Sequence, residues 1–513
     1  MSKPLTKRIF LEEARLGPRS EVLIAYAEKA EFPKLKRLFE AYTYVDLAHA
    51  VMLVETGILE AESGARLIQG LLRIHAMDAK SFPWLAESGS YLVHVEHWLT
   101  EHCGSAIAGL LQTGRSRNDQ DAAAERLFQR KLILDLGEAL AALLKITLDL
   151  AQKHAEALMP GYTHLQHAQP CTFGHYLMRQ ASILERDVQR LHDVYPRTNL
   201  SALGGAAIAG TSWPIDRRRT ADLLGHDDIV VNSCDAGEFA RDHIEETTAC
   251  LSILAADLGR FATDLYVWSS FEFGFIEVAD DLAGTSSIMP QKKNPHSLER
   301  VKAIGGQASG WLAIVMGCQR PVLSTDLDFT FADDLFGGFA EATYGSIRLM
   351  KETLRTLTVH EQRMASSAAS YWSTTSHLAD ELVRRYGLSF RDSHQIVGLC
   401  VRRAIEVGQT PRSVAARLLR EAAAELGAPV VDLDDESLHR LLDGRNFVNS
   451  RVSEGSIAPA EVLRHAAKVG DLLAAHRAAF DRRRNRASSA LSTLVVRARE
   501  LAGAPQREET HRA

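Results

Sequence analysis

The sequence predicts an all-α protein built round a central bundle of five long helices. Long stretches lack proline and nearly lack glycine, their apolar residues cover more than one helical face, and no segment alternates apolar and polar residues as paired strands do. From Gln120 to Met159 there is no proline and a single glycine, Gly137. A helix of that span is about 60 Å long at ~1.5 Å per residue. Leu132, Ile133 and Leu134 are consecutive and Leu143 adjoins Leu144, so its apolar stripe is wider than one face. Further long helices are expected at 175–194, 239–270, 297–318 and 331–366, separated by breaks rich in Gly, Pro and Asn. Helices apolar on several sides need cover on several sides. The bundle is therefore expected to be completed by copies of itself in a homo-oligomer.

Residues 1–112 read as an N-terminal domain of shorter helices, broken at Phe32-Pro33 and at Ser81-Phe82-Pro83. Residues 113–366 form the bundle, and 367–480 a small helical domain with turns at Gly387, Gly408 and Gly427. The stretch from Asp481, "DRRRNRASS…", is charged and rich in small residues, and 481–513 is expected to be a frayed helix and flexible tail.

Composition narrows the function. At 513 residues the chain exceeds one ordinary domain, and 46% apolar with 24% charged residues is a globular balance. A net charge of −6 offers no nucleic-acid footprint. No run approaches the ~18 apolar residues of a membrane span. The N-terminus reaches Glu12 and Glu13 without a signal-peptide core, and six scattered cysteines form no CxxC pair, so a cytoplasmic protein with free thiols is expected.

Three polar islands interrupt the helical pattern. "QTGRSRNDQ" (112–120) brings Thr113, Arg115, Ser116, Arg117 and Asn118 to a helix N-terminus, where backbone N–H groups and the dipole favour an anion. An N-cap needs one such residue; two arginines and three donors exceed that, which favours a carboxylate site. "PGYTHLQHAQP" (160–170) reads as a loop leading into a helix, with Thr163, His164 and Gln166 pinned between prolines. Its imidazole is either a solvated structural group or a proton relay. "AGTSSIMPQKKNPHS" (283–297) places Thr285, Ser286 and Ser287 before Lys292, Lys293 and Asn294. A solvated linker explains the lysine pair, yet a linker needs no Ile288-Met289-Pro290 in its middle. The chain has no metal-ligand cluster, phosphate-binding loop, dinucleotide fingerprint or nucleophile elbow, so any chemistry must come from ordinary side chains, with no metal or cofactor.

Taken together, the islands resemble the aspartase/fumarase superfamily. "TSSIMPQKKNP" (285–295) matches its signature loop. "TGRSRNDQ", "GYTHLQHAQP", "LGGAAIAGTSWPIDR" (203–217) and "HLADELVRRYGLSFRDSHQIVG" (377–398) resemble the argininosuccinate lyase branch. The resemblance runs over roughly residues 40–470. It implies a three-domain α fold, a homotetramer whose long helices form the core, and active sites each assembled from three subunits. The implied reaction is β-elimination from a substituted succinate, releasing fumarate and an amine without metal or organic cofactor.

By the same resemblance Ser286 is the base on a closing loop, and His164 transfers a proton or orients the leaving nitrogen. Thr163, Ser116, Asn118, Lys292 and Asn294 bind the substrate carboxylates. Thr113, Arg115, Gln166 and Ser287 complete the expected substrate-binding set. The departures concern the amine half. Where the family carries Tyr, Gln and Lys, "PVLSTDLDFTFADDL" (321–335) offers Ser324, Phe329 and Ala332, and Ser90 stands where an Asp is expected. Sites lose affinity steeply when hydrogen-bonding partners vanish. The expectation is a retained fumarate half and a rebuilt amine half, as in a lyase for another N-substituted L-aspartate such as an ethylenediamine-disuccinate type. A true argininosuccinate lyase and a non-catalytic homologue are the alternatives.

Overall fold

The structure is a computed structural model that describes residues 19–239, 241–318 and 326–503. It is all-α, as its sequence predicts. α1 (Phe32–Glu55) is the long helix of the N-terminal part. The bundle follows as α2 (Arg117–Lys153), α3 (Phe173–Thr198), α4 (Asp242–Trp268), α5 (His296–Gln307) with α6 (Trp311–Cys318), and α7 (Asp326–Thr356). α2 carries 37 residues and buries Leu134, Leu136, Leu140, Leu143 and Leu144, the wide stripe expected of it. It begins three residues before the expected start because Ser116 and Asp119 form a reciprocal capping box. It ends at Lys153, and the chain then turns into a strand.

Two other boundaries differ. The expected 297–318 helix is divided by a 3-10 turn at Ala308–Gly310. The last expected helix stops at Thr356 because Thr358–Val359 (β6) pairs with Ile276–Glu277 (β3). α4 and α5 approach closely at Gly259 and Gly305: a Cβ on Gly305 would lie 2.8 Å from both Ala255 O and Gly259 Cα. Only glycine permits that backbone contact.

The segment read as a loop at 160–170 is instead an antiparallel hairpin. β1 (Leu158–Thr163) pairs with β2 (Gln166–Thr172), in register Thr163↔Gln166 and Leu158↔Thr172. Its alternation is weak because a bulge lies between Pro160 and Tyr162.

The flexible-tail expectation is corrected. Pro459–Leu501 is one helix of 43 residues, α8. Its buried residues, Val462, Ala466, Val469, Leu473, Phe480, Ala487, Leu494 and Ala498, recur every three, four or seven positions as a single stripe. The arginines that suggested a solvated tail occupy the flanks: Arg484 meets Asp135 at 2.9 Å, Arg486 meets Asp227 at 2.7 Å, and Arg497 meets Glu55 at 2.8 Å. Phe480 packs on Gly137, where a Cβ would come within 2.7 Å of the ring. α8 thus belongs to the bundle, not to the small C-terminal unit. That unit has its own apolar cluster, from Trp372 to Leu442. The remainder of the tail, 504–513, lies outside the described residues.

Candidate active site

The first island forms the N-terminus of α2. Ser116 Oγ accepts from Asn118 N at 3.4 Å, and Asp119 accepts from Ser116 N and from Gly204 N, each at 2.8 Å. Thr113, Ser116 and Asn118 are half-buried, and the capping box takes up N–H groups of the first helical turn. The N-cap is therefore present, and the positive end of the helix dipole lies beside these three residues.

Arg115 corrects the expected binding set. Its side chain has 0% exposure and donates to Asp46 Oδ1 at 2.8 Å and Gln112 Oε1 at 2.9 Å. Asp46 lies in the middle of buried α1, where burial raises its carboxyl and the Arg115 charge opposes that rise. Arg115 is thus taken up by the interior. Arg117, outside the expected set, half-faces solvent on a cavity of about 260 Å³ that Tyr42, Ser90, Tyr91 and Asp121 also line. The signal was available: Asp46 stands in the apolar run "YTYVDLAHAVML", and a buried carboxylate requires a cation. Ser90, which stands where the resemblance expects an Asp, lines this cavity. Of the altered amine positions, Ala332 is fully buried, while Ser324 and the Phe329 side chain lie outside the described residues.

The second island is the hairpin tip. His164 (φ 55°) and Leu165 (φ 59°) are both left-handed, the conformation a two-residue hairpin turn demands. Neither is glycine or asparagine, so the turn is strained, a feature that clusters at functional sites. Thr163, His164 and Gln166 are exposed, and Leu165 is 77% exposed. The tip projects from the protomer, while its base is fixed by Tyr162 against Phe273, ring centroids 5.7 Å apart.

The third island is a loop with a paired neck. β4 (Gly284–Thr285) pairs antiparallel with β5 (Lys293–Asn294). Ser286 Oγ accepts from Ile288 N at 3.2 Å and Met289 N at 3.1 Å. Two N–H donors on one hydroxyl oxygen favour its ionised form. The two lysines differ. Lys293 Nζ meets Glu277 at 2.7 Å and Asp280 at 2.6 Å, whereas Lys292 has no ion pair among the described residues. Lys292 and Lys293 line a second cavity of about 650 Å³ with Tyr266, Ser269 and His360. Ser287 is exposed, and Asn294 is half-buried in the neck.

One protomer does not bring the islands together. The first lies at the start of α2 and the second just past its end, and 37 residues of helix span about 55 Å at ~1.5 Å per residue. The second and third share one end of the bundle through Tyr162 and Phe273, and no hydrogen bond joins Ser286 to His164 among the described residues. No group of three potential metal ligands and no helix long and apolar enough to cross a membrane occurs among the described residues.

The Lyase family matches residues 37–310, and the argininosuccinate lyase C-terminal family matches 372–449. Argininosuccinate lyase of Methanocaldococcus jannaschii is 37% identical over 454 residues, 88% of this chain and 92% of that one. Argininosuccinate lyase 1 of Shouchella clausii is 35% identical, over 89% and 92%. Among solved structures, a variant of EDDS lyase with bound fumarate superposes with TM-score 0.81 at 32% identity, covering 95% of this chain and 96% of that one. The chain therefore belongs to the argininosuccinate lyase branch of the aspartase/fumarase superfamily.

Proposed function

We propose that this protein is a carbon–nitrogen lyase that eliminates fumarate from an N-substituted L-aspartate other than argininosuccinate, at sites shared between the subunits of a cytoplasmic homotetramer. Ser286 takes the Cβ proton. The electrons of that C–H bond pass into the adjacent carboxylate as a doubly charged aci-form, then return to form the C=C bond as the C–N bond breaks. The amine leaves with a proton. His164 supplies that proton or orients the nitrogen. Lys292 and Asn294 stabilise the aci-carboxylate, with Ser287 beside them, in a site from which loop closure excludes water. Thr113, Ser116, Asn118, Thr163 and Gln166 hold the carboxylates, with Arg117 in the place expected of Arg115.

The observation that carries this reading is the Ser286 oxygen, held by two backbone N–H groups on the same loop as Lys292, which has no ion pair among the described residues. A serine ionises only where such donors and charge favour it. The length of α2 supports shared sites, since one protomer holds Asn118 and His164 at opposite ends. α6 supports the assembly: Ile314 and Met316 are 46% and 49% exposed on a wholly apolar helix, a face that association would cover. The free thiols support a cytoplasmic setting. Borders near residues 112 and 366, with α8 returned to the bundle, describe the domains.

The amine remains to be assigned by experiment. Fumarate offered with a panel of amines, read by mass spectrometry, should give one dominant N-substituted aspartate. The argininosuccinate lyases at 34–38% identity favour a second reading, a true argininosuccinate lyase. Fumarate release from argininosuccinate as fast as from any other aspartate would establish that second reading.

A further inference from the structure

The two adjacent lysines of the loop are placed in opposite electrostatic situations. Lys293 reaches back from the outgoing strand of the neck to Glu277 Oε1 at 2.7 Å and Asp280 Oδ1 at 2.6 Å, both on the incoming side. Glu277 belongs to the scaffold: its strand pairs with Thr358–Val359, and its other oxygen faces His360 Nε2 at 3.8 Å. Asp280 begins the turn that leads into the loop. The two carboxylates hold the Lys293 ammonium above its ordinary range, and Lys293 in turn holds Asp280 down. Lys292, one residue earlier and on the same cavity wall as Glu277, has no such partner among the described residues.

We propose that Lys293 is a positioning residue: by occupying Glu277 and Asp280 it fixes the loop neck and prevents those carboxylates from capturing Lys292, which stays available to the substrate carboxylate. This rests on the lyase reading above. Without Lys293, two anions lie beside the loop, and Lys292 shares the cavity wall with one of them, Glu277. A captured Lys292 would meet the substrate late and weakly. The neighbouring anions would also repel a dicarboxylate.

The test uses the full-length protein, with fumarate as probe in calorimetric titration and steady-state kinetics with the best aspartate found. Lys293→Met should weaken fumarate binding about fivefold, the scale of an exposed ion-pair network, and raise KM by more than it lowers kcat. Lys293→Arg should restore both. Lys293→Met combined with Glu277→Gln and Asp280→Asn should also restore fumarate affinity, because nothing remains to capture Lys292; a purely structural role for the lysine would not be rescued in this way. Circular dichroism and size-exclusion profiles confirm that each variant folds and assembles. Wild-type protein that binds no fumarate overturns the lyase reading and this inference with it. Wild type that binds fumarate, with Lys293→Met binding equally well or the triple variant unrescued, overturns this inference alone.

Discussion

Arg115 separates an interior role from a substrate role more sharply than any other residue. Asp46 has no exposed surface and takes bonds of 2.8 Å from Arg115 Nη1 and 2.7 Å from Gln120 Nε2. Arg115→Ala leaves only the neutral Gln120 amide and Tyr91 hydroxyl beside Asp46 and strands a buried carboxylate without its cation. Removing one partner of a buried pair costs about 3–5 kcal/mol, a large share of the ~5–15 kcal/mol that stabilises a typical fold. Replacing both, Asp46→Leu with Arg115→Met, removes the stranded charge and should recover most of the loss, because the two sites share one interaction. Urea denaturation followed by circular dichroism measures the stability, and fumarate absorbance measures turnover in the same samples. The expected result is a large fall in the urea midpoint for Arg115→Ala, a smaller one for the double variant, and activity that follows the folded fraction. A variant that unfolds like wild type yet has lost turnover would place Arg115 on the substrate and refute the argument.

Other outcomes are equally specific. Ser286→Ala should lower kcat by about 10²–10⁴-fold, the usual contribution of a positioned general base, with the melting curve unchanged; undiminished turnover would remove Ser286 from that role. Asn118→Ala and Ser286→Ala, each inactive alone, should regain partial activity when co-expressed, since mixed tetramers contain some sites built only from intact islands; size-exclusion and turnover assays on the mixture test this. His94 is held down to about 4 by burial, and its Nδ1 accepts from Leu85 N at 3.1 Å. The folded protein therefore keeps His94 neutral while the unfolded chain protonates near pH 6.5. His94 should therefore withdraw about 3 kcal/mol of stability as pH drops from 6.5 towards 4, alongside His49 and His226, which burial also holds down, and His94→Gln should lessen the dependence of the urea midpoint in that window.

How far the sequence reaches depends on which force decides each element. The long helices were legible because their apolar residues recur at helical spacing over several turns. Their ends were less so: the Ser116–Asp119 box and the β3–β6 pairing each move a boundary, and the second depends on segments more than 80 residues apart. The charged face of α8 masked its buried stripe, because composition averages over faces that the fold keeps separate. In the site, the polar islands stood out against their surroundings, and Ser286, Lys292 and His164 lie on the loop and turn expected to carry function. The choice between Arg115 and Arg117 was not legible from the motif alone. It is fixed by Asp46, some seventy residues away in sequence, which claims one guanidinium and leaves the other on the cavity.

The position of α8 bears on how the chain is made. Phe480 fills the hollow over Gly137, and Leu494 and Ala498 plug the apolar cluster of the N-terminal part, so one rod fastens both regions. Its residues leave the ribosome well after those of α2 and α3. Until α8 emerges, the groove along α2 and α3 stands open to water, and a nascent chain must be shielded from its neighbours for that interval. Loss of α8 would therefore unseal both regions rather than trim a loose end.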